Sequence, residues 1–413
     1  MSLPVTRKEI FGWCCYDFAN SSYTTIIITV VYSRYFLEVV FSGQSEGYFW
    51  WGATLAISQL LVIVASPLLG RMADQHSLRK RFLMVSTAVC VLATGLLGWT
   101  GSGTILIAIS LVILSNAAFS LGESFCSSFL PDLSTKENIG RISGYGWSFG
   151  YFGGLISLGL ALLIVFTGEE GDPDRTRWIF PITATFFLIA SLPTFAFLTE
   201  RSTQDKNPPP QGTIIRQFIQ SLAHLRDEHP DLLRYFICFL CYMSGVTAII
   251  AFASIYARDV LAFTVTETIG MFIALQLSSA LGAFCFGFSQ DRIGAKTSLL
   301  ISLGLWLVVC LSAALVQTKL QFLFVAALAG LVIGSTQAIS RAVVGILMPE
   351  GTSGQTFGLW NSFAKGAAII GPLTFGIAAS FLDPRIVVLS LALFFLFGGW
   401  ILLGLPLKST RHD

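Results

Sequence analysis

GRMADQHSLRKR at residues 70–81 and GFSQDRIGAK at residues 287–296 place Gly, Asp and a basic cluster at matching offsets. Asp291 follows Asp74 by 217 positions, and each stretch closes one long apolar segment and precedes another. A polar hinge that occurs twice between apolar segments points to a chain built from two related halves. Fainter echoes run in the same order. Gln59 and Gln276 are also 217 apart, Pro131 and Pro349 each close an apolar segment, and Gly144, Ser148 and Phe149 return as Gly358, Ser362 and Phe363.

Composition sets the class. Hydrophobic residues make up 54% of the 413, charged residues only 12%, and 35 are Phe. Soluble domains carry about 25% charge, so the chain reads as a polytopic membrane protein. A net charge of +2 with no basic stripe gives no basis for nucleic-acid binding. The apolar run opening near Phe11 continues to about Phe41, too long for a signal h-region and without a small-residue cleavage site, so it reads as the first span. All eight cysteines fall in apolar segments, where they act as small hydrophobes. The Cys238/Cys241 pair lacks the second thiol pair or nearby His that would complete a metal site, so no metal and no cofactor are expected.

A span needs about 20 apolar residues. By that measure twelve are expected, near 11–40, 48–69, 82–100, 104–130, 142–166, 178–198, 232–257, 266–289, 297–316, 320–347, 356–382 and 386–406. The domains are therefore an N-terminal six-helix bundle (1–198), a connector (199–231) and a C-terminal six-helix bundle (232–413). The connector holds Pro208–Pro210 and then Ile214, Ile215, Phe218, Ile219, Leu222 and Leu225, the apolar face of a short helix suited either to a membrane surface or to a plain linker. Lys and Arg gather in alternate connectors, as at Arg71, Arg79, Lys80 and Arg81, whereas the opposite connectors hold Arg175, Arg177, Arg258, Lys319 and Arg385. Positive charge marks the cytoplasmic side, which places both termini and both repeated loops there.

Twelve spans in two halves, with GxxxDxxxxRK after span 2 and GxxxDRxGxK after span 8, resemble the major facilitator superfamily over essentially the whole chain. The first loop departs from the family pattern by having Gln75 for the usual Arg and Ser77 for the second Gly. Four segments resemble the vacuole-effluxer-like branch, whose fungal member exports amino acids from the vacuole during autophagy: WCCYDFANSSY from Trp13, SGYGWSFGYFGG from Ser143, SRAVVGILMPE from Ser340 and FGLWNSFAKGAAIIGP from Phe357. The resemblance implies an all-α membrane protein of twelve transmembrane helices in two pseudo-symmetric six-helix bundles. It also implies a monomer in a bacterial inner membrane, with a small-molecule substrate, lipid around it and protons as a possible coupling ion.

Asp17, Glu123, Arg341 and Lys365 are charges set deep within spans, at comparable depth. A charge at mid-bilayer costs about 2.5 to 3.5 kcal/mol even on insertion scales, so these should face protein or water. Glu123 and Arg341 each precede the proline closing their span by eight residues, and they occupy matching places in the two halves with opposite sign. In transporters of this resemblance, spans 1, 4, 7 and 10 line the central cavity and span 11 contributes, so two acids would face two bases across the substrate path. Asn20 and Asn361 join the set. Three roles stay open: acids and bases holding the two ends of a zwitterion, Asp17 or Glu123 carrying a proton, or an acid–base latch between the halves. Asn20, Ser21 and Thr24 share the Asp17 face, which should be wet. Trp13, Tyr16 and Tyr23 suit substrate stacking or packing, and Arg34 and Glu38 an i, i+4 pair or outer gate.

Small residues recur every fourth position in span 5 (Gly146, Gly150, Gly154) and span 8 (Gly270, Ala274, Ser278, Gly282), ridges that permit close helix approach and, by the resemblance, interdomain packing. The repeated loops read as gates. Gly70, Asp74, Arg79 and Lys80 form one, and Gly287, Asp291 and Arg292 the other, with Asp74 expected at the start of span 11 and Asp291 at that of span 5, where unpaired N–H groups attract a carboxylate. His76, His224, His229 and His412 lie in connectors or the tail without metal spacing, and no hydrolase or phosphate-binding signature appears, so an enzyme is disfavoured. The expected function is a secondary transporter of a small polar metabolite, above all amino acids. Flipping or efflux of lipids and amphiphiles is the alternative, and a sensor or enzyme ranks below it.

Overall fold

The computed structural model describes residues 4–166, 173–201 and 214–407; the run Pro208–Pro210 of the expected connector lies outside them. Among the described residues the chain is helical, with no strand. Among the described residues twelve helices are long and apolar enough to cross a membrane. Spans 1 to 6 are Arg7–Val40, Glu46–His76, Arg79–Trp99, Ile105–Leu133, Ile139–Ile164 and Asp174–Phe197. Spans 7 to 12 are Pro230–Ala253, Gly270–Ile293, Ala295–Leu315, Lys319–Leu347, Ser353–Ala379 and Pro384–Leu403. Their outward side chains are large and apolar: Leu106, Phe324 and Trp400 are 78%, 69% and 73% exposed. Such surfaces are stable where lipid is the solvent and internal hydrogen bonding satisfies the backbone.

Capping fixes several helix starts. Thr6 and Glu9 exchange side-chain and backbone hydrogen bonds at the start of span 1, as do Thr264 and Glu267 ahead of span 8 and Thr318 and Gln321 ahead of span 10. These reciprocal boxes satisfy N–H groups that the first helical turn leaves unpaired. Glu267 also takes two bonds from Lys319, at 2.7 and 2.9 Å, and those bonds with the Thr264 amide hold its carboxyl below the usual range. Span 1 is not uniform. Thr24–Val30 and Phe36–Val40 are π-helical, and these wider turns have no signature in apolar spacing.

The repeated polar stretches are less of a hinge than their composition suggests. The helix of span 2 runs through Asp74 to His76 and breaks only at Ser77 and Leu78 before Arg79 restarts the chain. Ser77 is left-handed (φ 54°, ψ 47°), and Leu78 N–H closes the turn on Ala73 O at 2.9 Å. The matching residue of the second loop is Gly294, also at positive φ (89°). A Cβ in that region costs about 1 kcal/mol, which glycine avoids. Ser77→Gly is therefore expected to raise stability by about 0.5–1 kcal/mol, read as a higher midpoint of thermal unfolding in detergent. A lower midpoint would mean that the serine hydroxyl matters more than the backbone.

The chain forms two compact units. The first comprises the described residues of 1–133, 149–208 and 351–358, and the second those of 134–148, 209–350 and 359–413. The segments 134–148 and 351–358 begin 217 residues apart, so the opening of each half's fifth span is the piece that groups with the other unit. In the first unit, Trp13 Nε1 donates to Cys126 O (2.7 Å), Tyr23 pairs with Ser115 (2.8 Å) and stacks on Phe119, and Tyr32 reaches Thr100 (3.1 Å). Trp13, Tyr16 and Tyr23 are each fully buried, so their role here is packing. In the second unit Trp306 lies flat on Phe395, ring centres 5.1 Å apart. The thiols of Cys238 and Cys241 donate to Gly398 O and Phe394 O, which ties span 7 to span 12.

Ile214–Glu228 forms the connector helix, one residue before Pro230 opens span 7. Ser221 and Leu225 are buried, while Ile215 and Ile219 are 66% and 59% exposed. Its apolar residues thus serve two faces, one packed and one open.

Candidate functional site

Asp74 is 1% exposed, and each of its carboxylate oxygens accepts one backbone N–H from the opening turn of span 11: Gly354 and Gln355, both at 2.9 Å. Asp291 does the same in the second unit, accepting from Gly140 (2.8 Å) and Arg141 (3.1 Å) at the start of span 5. These are the orphan donors of a helix N-terminus, where the partial positive charge of the helix favours a carboxylate. Backbone approach is the condition for both contacts. A Cβ on Gly70 would collide with Gly354 O, and one on Gly354 would lie 2.6 Å from Gly70 O. Gly140 and Gly287 form the matching pair, since a Cβ on Gly287 would lie 2.8 Å from Gly140 O.

The basic residues of the loops do something else. Arg79 is 1% exposed and donates to Asp132 (2.5 Å), Glu200 (3.1 Å) and Ser128 O (2.8 Å), with its guanidinium over Phe129. Lys80 Nζ reaches Leu198 O at 2.6 Å, just beyond span 6. In the second unit Lys296 Nζ donates to Leu403 O (2.8 Å) and Leu405 O (2.7 Å), at the end of span 12. Arg79 and Lys80, grouped by sequence with the gate, thus tie spans 3, 4 and 6 into one end of the first unit, because a buried guanidinium must find acceptors inside its own bundle. Arg292 is exposed. Arg34 and Glu38 form a local pair at 2.8 Å on the surface.

In the first unit Asp17 is 7% and Asn20 6% exposed, and Glu123 is half-buried. A close contact sets their level. Tyr16 OH accepts from Thr87 (3.2 Å) and lies so near Gly122 that a Cβ there would collide with it. Asp17 and Glu123 each stand one residue beyond that contact, on spans 1 and 4. The Asp17 face, expected to be wet, is mostly covered. Ser21 and Thr24 turn their hydroxyls onto their own helix, at Asp17 O (2.8 Å) and Ser21 O (3.2 Å), and Gly150 of span 5 approaches Asp17 O.

In the second unit Arg341 is 1% exposed. Its Nε donates to Ser143 Oγ (3.3 Å), its Nη2 to Ser143 O (3.0 Å), and its guanidinium lies 5.2 Å from the Trp147 ring centre. Ser143 Oγ in turn donates to Ala338 O at 2.7 Å. Beside it, Tyr242 OH pairs with Ser340 Oγ (2.7 Å), and Tyr235 OH reaches Ser340 O (3.1 Å) and Tyr242 OH (3.2 Å). Sequence reasoning missed Ser143, Trp147 and the two tyrosines as partners of this site. The seven-residue spacing of Tyr235 and Tyr242 puts both on one helix face, but aromatic packing uses the same spacing. On span 11 Asn361 is 3% exposed and Lys365 half-buried, and aromatic contacts of Trp360 with Phe239 and of Phe363 with Phe236 hold the helix against span 7.

The small-residue series divide between neighbours. Gly150 faces span 1, and Gly282 faces span 10, where a Cβ would collide with Leu331 O. Gly270 has open space at its Cβ position. Spans 5 and 8 meet through Gly140, Gly144, Ala283 and Gly287 instead: a Cβ on Gly144 would lie 2.5 Å from Ala283 O. A four-residue step turns about 40° further round an α-helix than a whole turn, so a long series cannot hold to one partner.

Residues 52–413 match the family described as "Vacuole effluxer Atg22 like". The chain belongs to this family. It is 26% identical over 417 aligned residues to the "Uncharacterized MFS-type transporter YxiO" of Bacillus subtilis (strain 168), covering 98% of this chain and 96% of that one. It is 22% identical to autophagy-related protein 22 of Kluyveromyces lactis, over 85% of this chain and 76% of the relative. In fold it is similar to the human organic anion transporter MFSD10, with a TM-score of 0.79 at 13% identity, covering 97% of this chain and all of that one. The protein is thus a major facilitator transporter of the vacuole-effluxer branch, an integral multi-pass membrane protein that acts on a small molecule. Within this transporter, the Asp74 and Asp291 contacts are helix-end clamps, and the buried polar groups of spans 1, 4, 10 and 11 are the candidates for cargo.

Proposed function

We propose that this transporter moves amino acids across a bacterial inner membrane by alternating access, coupled to protons and working as a monomer. The halves 1–198 and 232–413 are the moving bodies, the connector 199–231 joins them, and both termini are cytoplasmic, as the distribution of Lys and Arg favours. Asp17, Asn20 and Glu123 take the ammonium end of the cargo, and Arg341, Lys365 and Asn361 take the carboxylate. The observation that carries this reading is Arg341, a guanidinium 1% exposed within span 10, held by hydrogen bonds and an aromatic face. A buried cation in a spanning helix is costly and marks a ligand or ion path. The likeness to a branch whose fungal member exports amino acids supports the cargo class.

Protons enter through the carboxylates. On this reading Asp17 or Glu123, carboxylates within spans 1 and 4, carries the proton. Asp74 and Asp291 serve as gates on this reading, since each grips the start of a span that must be released for the cytoplasmic side to open.

The test is uptake into proteoliposomes from a panel of labelled amino acids, with and without an imposed pH gradient. Gradient-driven uptake of at least one is expected, with Glu123→Gln or Asp17→Asn losing the gradient dependence. If both variants keep it in full, neither carries the proton. Transport of no amino acid, together with flipping of a fluorescent lipid, would replace the cargo class with an amphiphile.

A further inference from the structure

Span 5 opens in the grip of two separate groups. Asp291 holds the Gly140 and Arg141 amides from span 8. One turn on, Arg341 of span 10 binds both the hydroxyl and the carbonyl of Ser143 and lies over Trp147. All of these residues belong to the second unit. Ser143 is fully buried and its hydroxyl is committed at both ends, donating to Ala338 O while accepting from Arg341. The pair of oxygens that Ser143 offers to Nε and Nη2 resembles in geometry the two oxygens of a carboxylate, which a guanidinium binds side by side.

We infer that Ser143 is an internal ligand of Arg341, so that docking of span 5 and binding of a cargo carboxylate at Arg341 exclude each other. The cargo class rests on the amino-acid reading above; the competition for Nε and Nη2 is a property of the chain itself. While span 5 is docked, a carboxylate must displace Ser143 before it can occupy these two donors. Once span 5 is released, Ser143 no longer has to be displaced. A ligand shifts a two-state equilibrium only through its different affinity for the two states, and this arrangement supplies the difference. Carboxylate binding opens the grip, and the transporter binds its cargo more tightly in the released state. With the loops on the cytoplasmic side, that state accepts cargo from the cytoplasm, so the device favours export. Ser143 is a positioning residue on this view, because it acts on cargo only through Arg341.

The experiment is hydrogen exchange at the 140–147 amides of the full-length transporter in nanodiscs, with acetate and acetamide as probes, comparing wild type, Ser143→Ala and Asp291→Asn. Loss of a hydrogen bond to a charged group is expected to speed exchange about tenfold or more in Ser143→Ala without any probe. Acetate should speed exchange in wild type, acetamide should not, and acetate should add less in Ser143→Ala, which keeps only the carbonyl contact to Nη2. Asp291→Asn should also loosen the segment but keep its response to acetate, which separates general loosening from competition at Arg341. Equal effects of acetate and acetamide in wild type, or exchange in Ser143→Ala within twofold of wild type, would overturn the inference. The amino-acid reading fails separately, if acetate opens the segment as described while no amino acid is taken up into proteoliposomes.

Discussion

Arg79→Met is expected to destabilise the transporter by about 3–5 kcal/mol, the usual cost of stranding the partners of a buried charge. Arg79 holds Asp132 and Glu200 at once, and these side chains are only 18% and 21% exposed. Ser128 O, the fourth-span carbonyl it also satisfies, would lose its donor as well. Methionine replaces the stem but none of the three contacts. The loss should therefore exceed that from Asp132→Asn or Glu200→Gln, each of which leaves Arg79 a second carboxylate. Thermal unfolding of the purified protein in one detergent orders the three variants. A midpoint for Arg79→Met close to that of wild type would show that water fills the site and that the cluster is ornamental.

The double variant Asp74→Asn, Asp291→Asn is expected to release the first turns of spans 11 and 5. Each carboxylate accepts two backbone N–H groups at a helix start. An amide keeps one acceptor, turns its NH₂ toward the other donor and carries no charge. The interaction of a carboxylate with a helix N-terminus amounts to about 0.3–2 kcal/mol, and the two sites share no residue, so their effects should add. If the two contacts act as gates, their loss shifts the conformational equilibrium by up to about three orders of magnitude at the upper end of that range. Asp74 is buried, so salt should do little to mimic the change there. Cysteine labelling from the side the loops face should rise in the double variant and rise less in each single one. Unchanged labelling would mean that the helix-end contacts follow the conformation and do not set it.

Much of the frame was legible in the residues. Twelve apolar runs of span length appear as twelve spanning helices, with ends displaced by a few residues, and the Gly70/Asp74 and Gly287/Asp291 repeats mark equivalent contacts. The placement of Asp74 followed from one physical fact, that a carboxylate at the end of one span finds unpaired N–H groups at the start of another. What stayed hidden depended on neighbours that sequence spacing does not name. The loops look like hinges by composition, yet the helix carries Asp74 rigidly to its partner and turns only at Ser77. The polar residues after Asp17 suggested a wet face, but Ser21 and Thr24 satisfy themselves on their own helix. Arg341 was visible as a charge inside a span, whereas Ser143, which holds it, is one serine among many polar residues until span 5 is packed beside span 10.

The central proposal concerns cargo: a zwitterion whose ammonium is bound by carboxylates and whose carboxylate is bound by Arg341. The direct measurement is calorimetric binding to the purified transporter of the amino acid with the highest uptake, of its amide, and of its deaminated acid. Each modified ligand loses one charge-assisted set of hydrogen bonds, so each should bind about ten- to a hundredfold more weakly than the parent. Arg341→Gln should erase the difference between amino acid and amide, and Glu123→Gln or Asp17→Asn the difference between amino acid and deaminated acid. Binding of either modified ligand as tightly as the amino acid would contradict the claim.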